Sequence, residues 1–327
     1  MSKGLVTIFG GSGFVGRYTA RQLVKAGYRV RLACRRPGLA GDAKLAGGPG
    51  WVDVVQANVR NRPSIAHALA GADYAINLVG VLYEHGKQDF NTTHLTGAQN
   101  IASVAAETGV KGLVHVSAIG ADTGSTSRYA STKGKAEQAV LEYFPGATIL
   151  RPSIIFGPED QFFNRFASMA RFSPFLPAIG GGKTKVQPVY AGDVAEAIAA
   201  AMTGADTKGK TYELGGPRTY SFNEIYDTVL RVTGRKAFKL PLPFAVAKPL
   251  GFIFGGLFRF KAMLVGGLFG GPPITGDQVE MLKTDNVVAE GALGLADLGV
   301  TELESPEAIV PKYLYRYRPY GEFSEAG

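Results

Sequence analysis

Tyr129-Ala-Ser-Thr-Lys133 sets a phenol and an ammonium four residues apart. On a helix that spacing puts both side chains on one face. A neighbouring Lys⁺ favours the phenolate and pulls a tyrosine pKa down from its ordinary ~10. A tyrosine tuned in this way serves as general acid or base at a carbonyl or a hydroxyl. Pairs of this kind also arise by chance, so the elements around Tyr129 and Lys133 decide what the pair means.

Those elements are legible from the start of the chain. Short apolar runs at Leu5–Phe9, 29–33, 52–57, 74–79, Gly112–Val116 and 147–150 alternate with amphipathic stretches at 15–26, 64–70, 92–108 and Arg128–Tyr143. Repeated β–α units of this size predict a parallel sheet covered on both faces and doubly wound through right-handed crossovers. Tyr129 and Lys133 open the last of these helices. Directly after the first strand stands Gly10-Gly11-Ser12-Gly13-Phe14-Val15-Gly16. A glycine run between a first strand and a first helix is a dinucleotide fingerprint. Gly10 permits the tight turn, and Gly13 lets backbone N–H groups approach a pyrophosphate at the helix N-terminus. Gly16 allows close helix–strand packing. Ser12, Phe14 and Val15 complete the loop at the phosphates.

The second strand ends at Cys34-Arg35-Arg36. NAD-selective sites carry an Asp or Glu here for the ribose 2′-OH. Two arginines instead suit bidentate contact with a 2′-phosphate, so the expected cofactor is NADPH. Asn58 and Val59, past the third strand, are placed for the adenine. Leu78, Val79 and Gly80, past the fourth, are placed for the ribose–phosphate side, and Lys133 for the nicotinamide ribose.

Gly10/Gly13/Gly16, Tyr129/Lys133 and the run Arg151-Pro152-Ser153-Ile154-Ile155-Phe156-Gly157-Pro158 resemble an extended or atypical short-chain dehydrogenase/reductase over roughly residues 1–160. The resemblance implies an α/β, doubly wound parallel Rossmann sheet of that type, with a smaller, mainly helical C-terminal part. It also implies that Val116, Ser117, Pro152 and Ile154 lie at the nicotinamide. One departure matters. Active members carry a serine just past the fifth strand; Ser117 comes too early, and the position falls on Ala118 or Ile119. His94 stands where an asparagine is common. Loss of one oxyanion-type donor costs ~10²–10³ in rate, so any catalysis by Tyr129 and Lys133 is expected to be vestigial.

Three further blocks, residues 156–166, 186–195 and 212–217, resemble one branch: the nucleotide-binding accessory subunits of respiratory complex I (NADH:ubiquinone oxidoreductase) and their bacterial relatives. This branch implies a tightly held NADPH with a structural role, complex I subunits as partners, and peripheral attachment at the cytoplasmic face of a bacterial inner membrane. The residues themselves leave two other readings open. One is an active NADP-dependent reductase, dehydrogenase or epimerase built on Tyr129 and Lys133. The other is a non-catalytic NADP(H)-sensing regulator.

Composition bounds the rest. The net charge of +8 admits nucleic acid, an anionic membrane or a phosphorylated ligand. Residues 228–276 carry 7 Lys/Arg and no acid, whereas residues 277–327 carry 4 basic and 10 acidic side chains. No nucleic-acid fold signature accompanies the charge. The apolar, Gly-rich part of segment 228–276, residues 244–276, reads either as core helices of the smaller domain or as a surface that lies on a membrane or a partner. The unbalanced charge of segment 228–276 suits docking on an anionic membrane surface or an acidic partner. Its longest charge-free stretch, residues 262–276, is too short for the ~20 apolar residues of a transmembrane helix. The tail Lys312-Tyr313-Leu314-Tyr315-Arg316-Tyr317-Arg318-Pro319-Tyr320 either docks likewise or packs back on its own domain. Cys34 is the sole cysteine, and His67, His85, His94 and His115 match no ligand spacing, so no metal is expected. The N-terminus shows no signal-peptide pattern and reads as that of a mature cytoplasmic protein. The expected division is a cofactor-binding domain over residues 1–155 and a smaller domain over 156–327 that interleaves with the sheet edge. Asp193 is expected to cap a helix over 194–202.

Overall fold

β1 (Leu5–Phe9), β2 (Arg29–Cys34), β3 (Val52–Gln56), β4 (Tyr74–Asn77), β5 (Gly112–Val116) and β6 (Thr148–Pro152) form where the sequence alternates apolar runs with helices. Between them lie α1 (Phe14–Lys25), α2 (Gly41–Lys44), α3 (Arg62–Leu69), α4 (Gly97–Thr108) and α5 (Arg128–Tyr143). The structure is a computed structural model and describes residues 2–84, 88–253 and 274–321. After β6 come β7 (Ile155–Phe156), α6 (Phe163–Phe172), β8 (Phe175–Ile179), β9 (Lys185–Val186), β10 (Val189–Tyr190), α7 (Ala191–Thr203) and β11 (Thr211–Leu214). Then follow β12 (Tyr220–Ser221), α8 (Phe222–Thr233) and β13 (Phe238–Leu242).

The chain divides into two units. The first takes the residues up to Pro152, with Ala191–Leu214 and Ala289–Thr301. Its sheet has the order β11-β6-β5-β4-β1-β2-β3, with every neighbouring pair parallel. This is the doubly wound Rossmann arrangement that the β–α alternation predicts. The seventh strand, β11, was not foreseen. It is four residues long and follows a change in pattern. One face of the sheet is sealed by α3, α4 and α5 through Ile65, Leu69, Ile101, Val104, Ala136 and Val140. On the other, α1 and α7 pack together. Asp193 lies inside the first turn of α7 rather than at its cap, because the helix already begins at Ala191.

The second unit takes Ser153–Tyr190, Gly215–Val288 and the chain from Glu302. It is held by α6 and α8 around Phe156, Phe163, Ile225, Val229, Val310 and Leu314. Asp160 anchors the turn into α6. Its Oδ1 accepts the Phe162 and Asn164 N–H groups, and its Oδ2 accepts the Gly157 N–H and the Tyr313 hydroxyl at 2.6 Å. The aromatic, basic tail resolves to the packing alternative. Tyr313 and Leu314 are buried, Arg316 donates to the Pro158 carbonyl, and Arg318 donates to the Val232 carbonyl.

The charge of segment 228–276 needs a correction. Acids just outside it offset part of it: Lys239 pairs with Asp227 and Lys248 with Glu280 at 2.7 Å. Residues 254–273, with Arg259 and Lys261, lie outside the described residues, as does His85. Among the described residues no helix is long and apolar enough to cross a membrane.

Candidate functional site

The glycine turn is fixed by contacts that a side chain would break. Gly10 adopts φ +81°, donates its N–H to the Ala33 carbonyl at 3.1 Å, and lies against the Leu78 backbone. A Cβ on Gly16 would sit 2.5 Å from the Gly11 carbonyl oxygen, so only glycine lets α1 start this close to the turn. Gly13 is the N-cap of α1, and Phe14 and Val15 open the helix. No side chain caps it, and its first turn holds no acid. The first N–H groups and the positive end of the helix dipole therefore remain available to an anion.

Ser12 turns its hydroxyl to the buried Cys34 thiol, whose pKa is pushed up by burial and eased back by that bond. Arg35 and Arg36 follow at the tip of β2. Both are exposed, and neither forms an ion pair among the described residues. Past β3, Asn58 uses its side-chain oxygen to accept the Arg60 N–H, and the Val59 carbonyl accepts from Asn100 of α4. Leu78 continues β4 through its N–H to the Phe9 carbonyl, Val79 packs on the core, and Gly80 is exposed.

α5 is set by its own start. Ser127 caps it by accepting the Ala130 N–H, and a Cβ on Gly134 would sit 2.7 Å from the Thr123 nitrogen. The loop before α5 packs closely on the helix, with the Asp122 N–H donating to the Ala130 carbonyl and the Ser131 hydroxyl to the Thr123 carbonyl. Lys133 is buried and donates to the Val116 carbonyl at 2.9 Å. Burial drives its pKa down to about 8, against the opposing charge of Glu137. Glu137 is itself held by Arg151 through two hydrogen bonds of 3.0 and 2.6 Å. Tyr129 is half-buried, with its ring edge-on to Phe90 and His94.

At the end of β5, Ser117 donates its N–H to the Leu150 carbonyl, and Ile119 donates to Pro152, the last residue of β6. Of the two positions expected for a serine, Ala118 and Ile119, the second is a buried isoleucine. Ile154 belongs to the second unit and packs on that unit's core.

Among the described residues, two buried polar atoms near Lys133 have no partner: Ser117 Oγ and His115 Nε2. Asn77 accepts the Val79 N–H with its oxygen and donates its amide to His115 Nδ1 at 3.0 Å. That leaves the histidine proton on Nε2. Buried groups without a hydrogen-bond partner are costly and call for a polar ligand or water. The close-packed glycine turn, the uncapped α1 and these donors fit a nicotinamide nucleotide. Sequence reasoning marked His94 only as a departure from an asparagine position and missed the site role of the buried Asn77, His115 and Thr132. The members of each bonded pair stand 38 residues apart, and no local pattern links them.

The profile of the NAD dependent epimerase/dehydratase family matches residues 6–215. The chain is 35% identical over 321 residues, 97% of its length, to NADH dehydrogenase [ubiquinone] 1 alpha subcomplex subunit 9, mitochondrial, of Arabidopsis thaliana, and covers 79% of that protein. It is 33% identical over 318 residues to the Mus musculus protein of the same name, covering 96% of this chain and 81% of that one. Among solved structures, a dTDP-glucose 4,6-dehydratase from Bacillus anthracis in complex with NAD superposes with a TM-score of 0.69 at 15% identity, covering 96% of each chain.

Proposed function

The chain belongs to the NAD dependent epimerase/dehydratase family, and from that premise we propose that it is an NADP(H)-binding accessory or assembly subunit of respiratory complex I. The observation that carries this reading is the similarity, along 97% of the chain, to proteins named as NADH dehydrogenase [ubiquinone] subunits. Gly10, Ser12, Gly13, Phe14, Val15 and Gly16 hold the pyrophosphate. Arg35 and Arg36 hold a 2′-phosphate, which selects NADPH. Asn58 and Val59 face the adenine, and Leu78, Val79 and Gly80 the ribose. Val116, Ser117, Tyr129, Lys133 and Pro152 take the nicotinamide end. When bound, the nucleotide supplies hydride chemistry. In this reading its role is structural, because a ligand that binds only the folded state stabilises it by mass action. The position expected for a serine that would polarise a substrate carbonyl is Ala118 or Ile119, just past Ser117, which argues against turnover.

Docking is peripheral, at the cytoplasmic face of a bacterial inner membrane. An apolar surface on the second unit supports it: Phe172, Phe175, Phe238, Leu240, Phe252 and Ile253 are each at least half exposed. Clustered exposed apolar side chains mark interaction sites, and Phe175 and Phe238 meet across β8 and β13.

An active NADP-dependent reductase remains the second reading, favoured by the intact Tyr129–Lys133 pair. Gentle detergent extraction of native membranes, followed by sizing, separates the two. Co-migration with respiratory subunits is expected for the accessory role. Migration as a free monomer with carbonyl-reducing activity would establish the reductase.

A further inference from the structure

Two imidazole nitrogens define what His94 does. Its Nε2 accepts the Val81 N–H at 3.0 Å, and its Nδ1 lies 3.1 Å from the Thr132 hydroxyl. An accepting Nε2 places the proton on Nδ1. The Thr132 hydroxyl accepts it and donates onward to the Arg128 and Tyr129 carbonyls at 2.8 and 3.0 Å. Both nitrogens are thus committed, and His94 has no free lone pair or proton for acid–base work. The ring also stacks on Phe90 at 5.3 Å and meets the Tyr129 ring edge-on at 5.3 Å. It is carried by a π-helical turn, Asn91–Thr96, ahead of α4. Such turns recur at functional sites. Asp89 fixes this one by accepting the Thr92 N–H and hydroxyl at 2.8 and 2.6 Å. Glu84 adds a parallel link, accepting the Phe90 N–H and pairing with Arg128 at 2.9 Å.

We propose that His94 is a positioning residue for the nicotinamide end of the cofactor site, fixing the loop after β4 against the α5 face that carries Tyr129 and Lys133. The proposal rests on the cofactor reading above. Without the imidazole, the Val81 N–H loses its acceptor, Thr132 loses its donor, and the Tyr129 ring loses its edge-on contact with His94. The glycine turn, Arg35 and Arg36 are untouched. The defect should therefore fall on one end of the nucleotide.

The test compares two ligands on the full chain: NADPH, and 2′-phospho-ADP-ribose, which has no nicotinamide. In His94→Ala, NADPH should bind at least about 10-fold more weakly, as expected for a lost buried hydrogen bond, while 2′-phospho-ADP-ribose binds as in wild type. The fluorescence of the bound nicotinamide should shift with it. Equal losses for both ligands, or no loss for either, would overturn the proposal. If His94→Ala fails to fold, Thr132→Val carries the same comparison. In wild type, ¹⁵N NMR should show the His94 proton on Nδ1, and a proton on Nε2 would also overturn it. Wild-type protein that binds neither ligand would refute the cofactor reading itself, a result distinct from any failure of the His94 variants.

Discussion

On the proposed reading, Arg35 and Arg36 make the cofactor choice a matter of two side chains. Charge-assisted hydrogen bonds are worth about 1.5–3 kcal/mol each. Arg35→Asp with Arg36→Ala should therefore weaken NADPH by about 10²- to 10⁴-fold while leaving NADH affinity nearly unchanged, as read by calorimetric titration. A second residue-scale prediction concerns acid stability. Burial holds the His94 pKa down to about 3, helped by the charge of Lys133, and holds His115 well below its ordinary value for the same reasons. In the unfolded chain both take up a proton near ~6.5. Their contribution is thus complete above about pH 6.5 and is lost as pH falls toward the folded values. Between about pH 7 and about pH 5, unfolding free energy in urea should drop by roughly 2 kcal/mol on account of His94, with a further loss of the same sign from His115. His94→Asn should remove one such share of the slope. An unchanged slope in the variant would mean that His94 does not stay neutral in the folded state.

At the scale of elements, Asp160 is the hinge pin between the turn into α6 and the C-terminal tail. Its carboxylate is buried, with four donors directed at it, and burial works against its charge by pushing its pKa up. Tyr313→Phe should cost about 1 kcal/mol, and Asp160→Asn about 2–3 kcal/mol, because the new amide directs donors at donors. Thermal unfolding reads both, and a neutral Asp160→Asn would mean that the tail is held by apolar packing alone.

The same scale shows where the sequence speaks. β1 to β6 were legible because each is an apolar run bounded by turns, and the glycine fingerprint because it sits at a strand–helix junction. β11 and the two-residue strands β7, β9, β10 and β12 carry too few residues for a period. The helix expected over 92–108 is divided, since Asp89 and His94 impose a π-turn before α4 that apolar periodicity does not encode. For the site, Tyr129, Lys133 and the glycines announced themselves by spacing. Asn77, His115 and Thr132 did not, because their meaning lies in hydrogen bonds across separate elements.

At the scale of the whole molecule, surface and cofactor carry the proposal together. The apolar set on the second unit includes Phe175 and Phe238, paired across β8 and β13 with ring centroids 6.1 Å apart, and Phe172 beneath the Arg171 guanidinium. Phe172→Ser, Phe175→Ser and Phe238→Ser together should abolish flotation with vesicles containing anionic lipid without lowering thermal stability, since these side chains are exposed. Unchanged flotation would remove this surface from the docking account. The central claim is that the nucleotide is held rather than consumed within a respiratory assembly. The most direct measurement is the NADPH bound per chain in the detergent-extracted native complex, before and after sustained NADH oxidation with ubiquinone. We expect one NADPH per chain, unchanged by turnover. A nucleotide-free chain in the complex, or bound NADPH that is oxidised as turnover proceeds, would contradict the account.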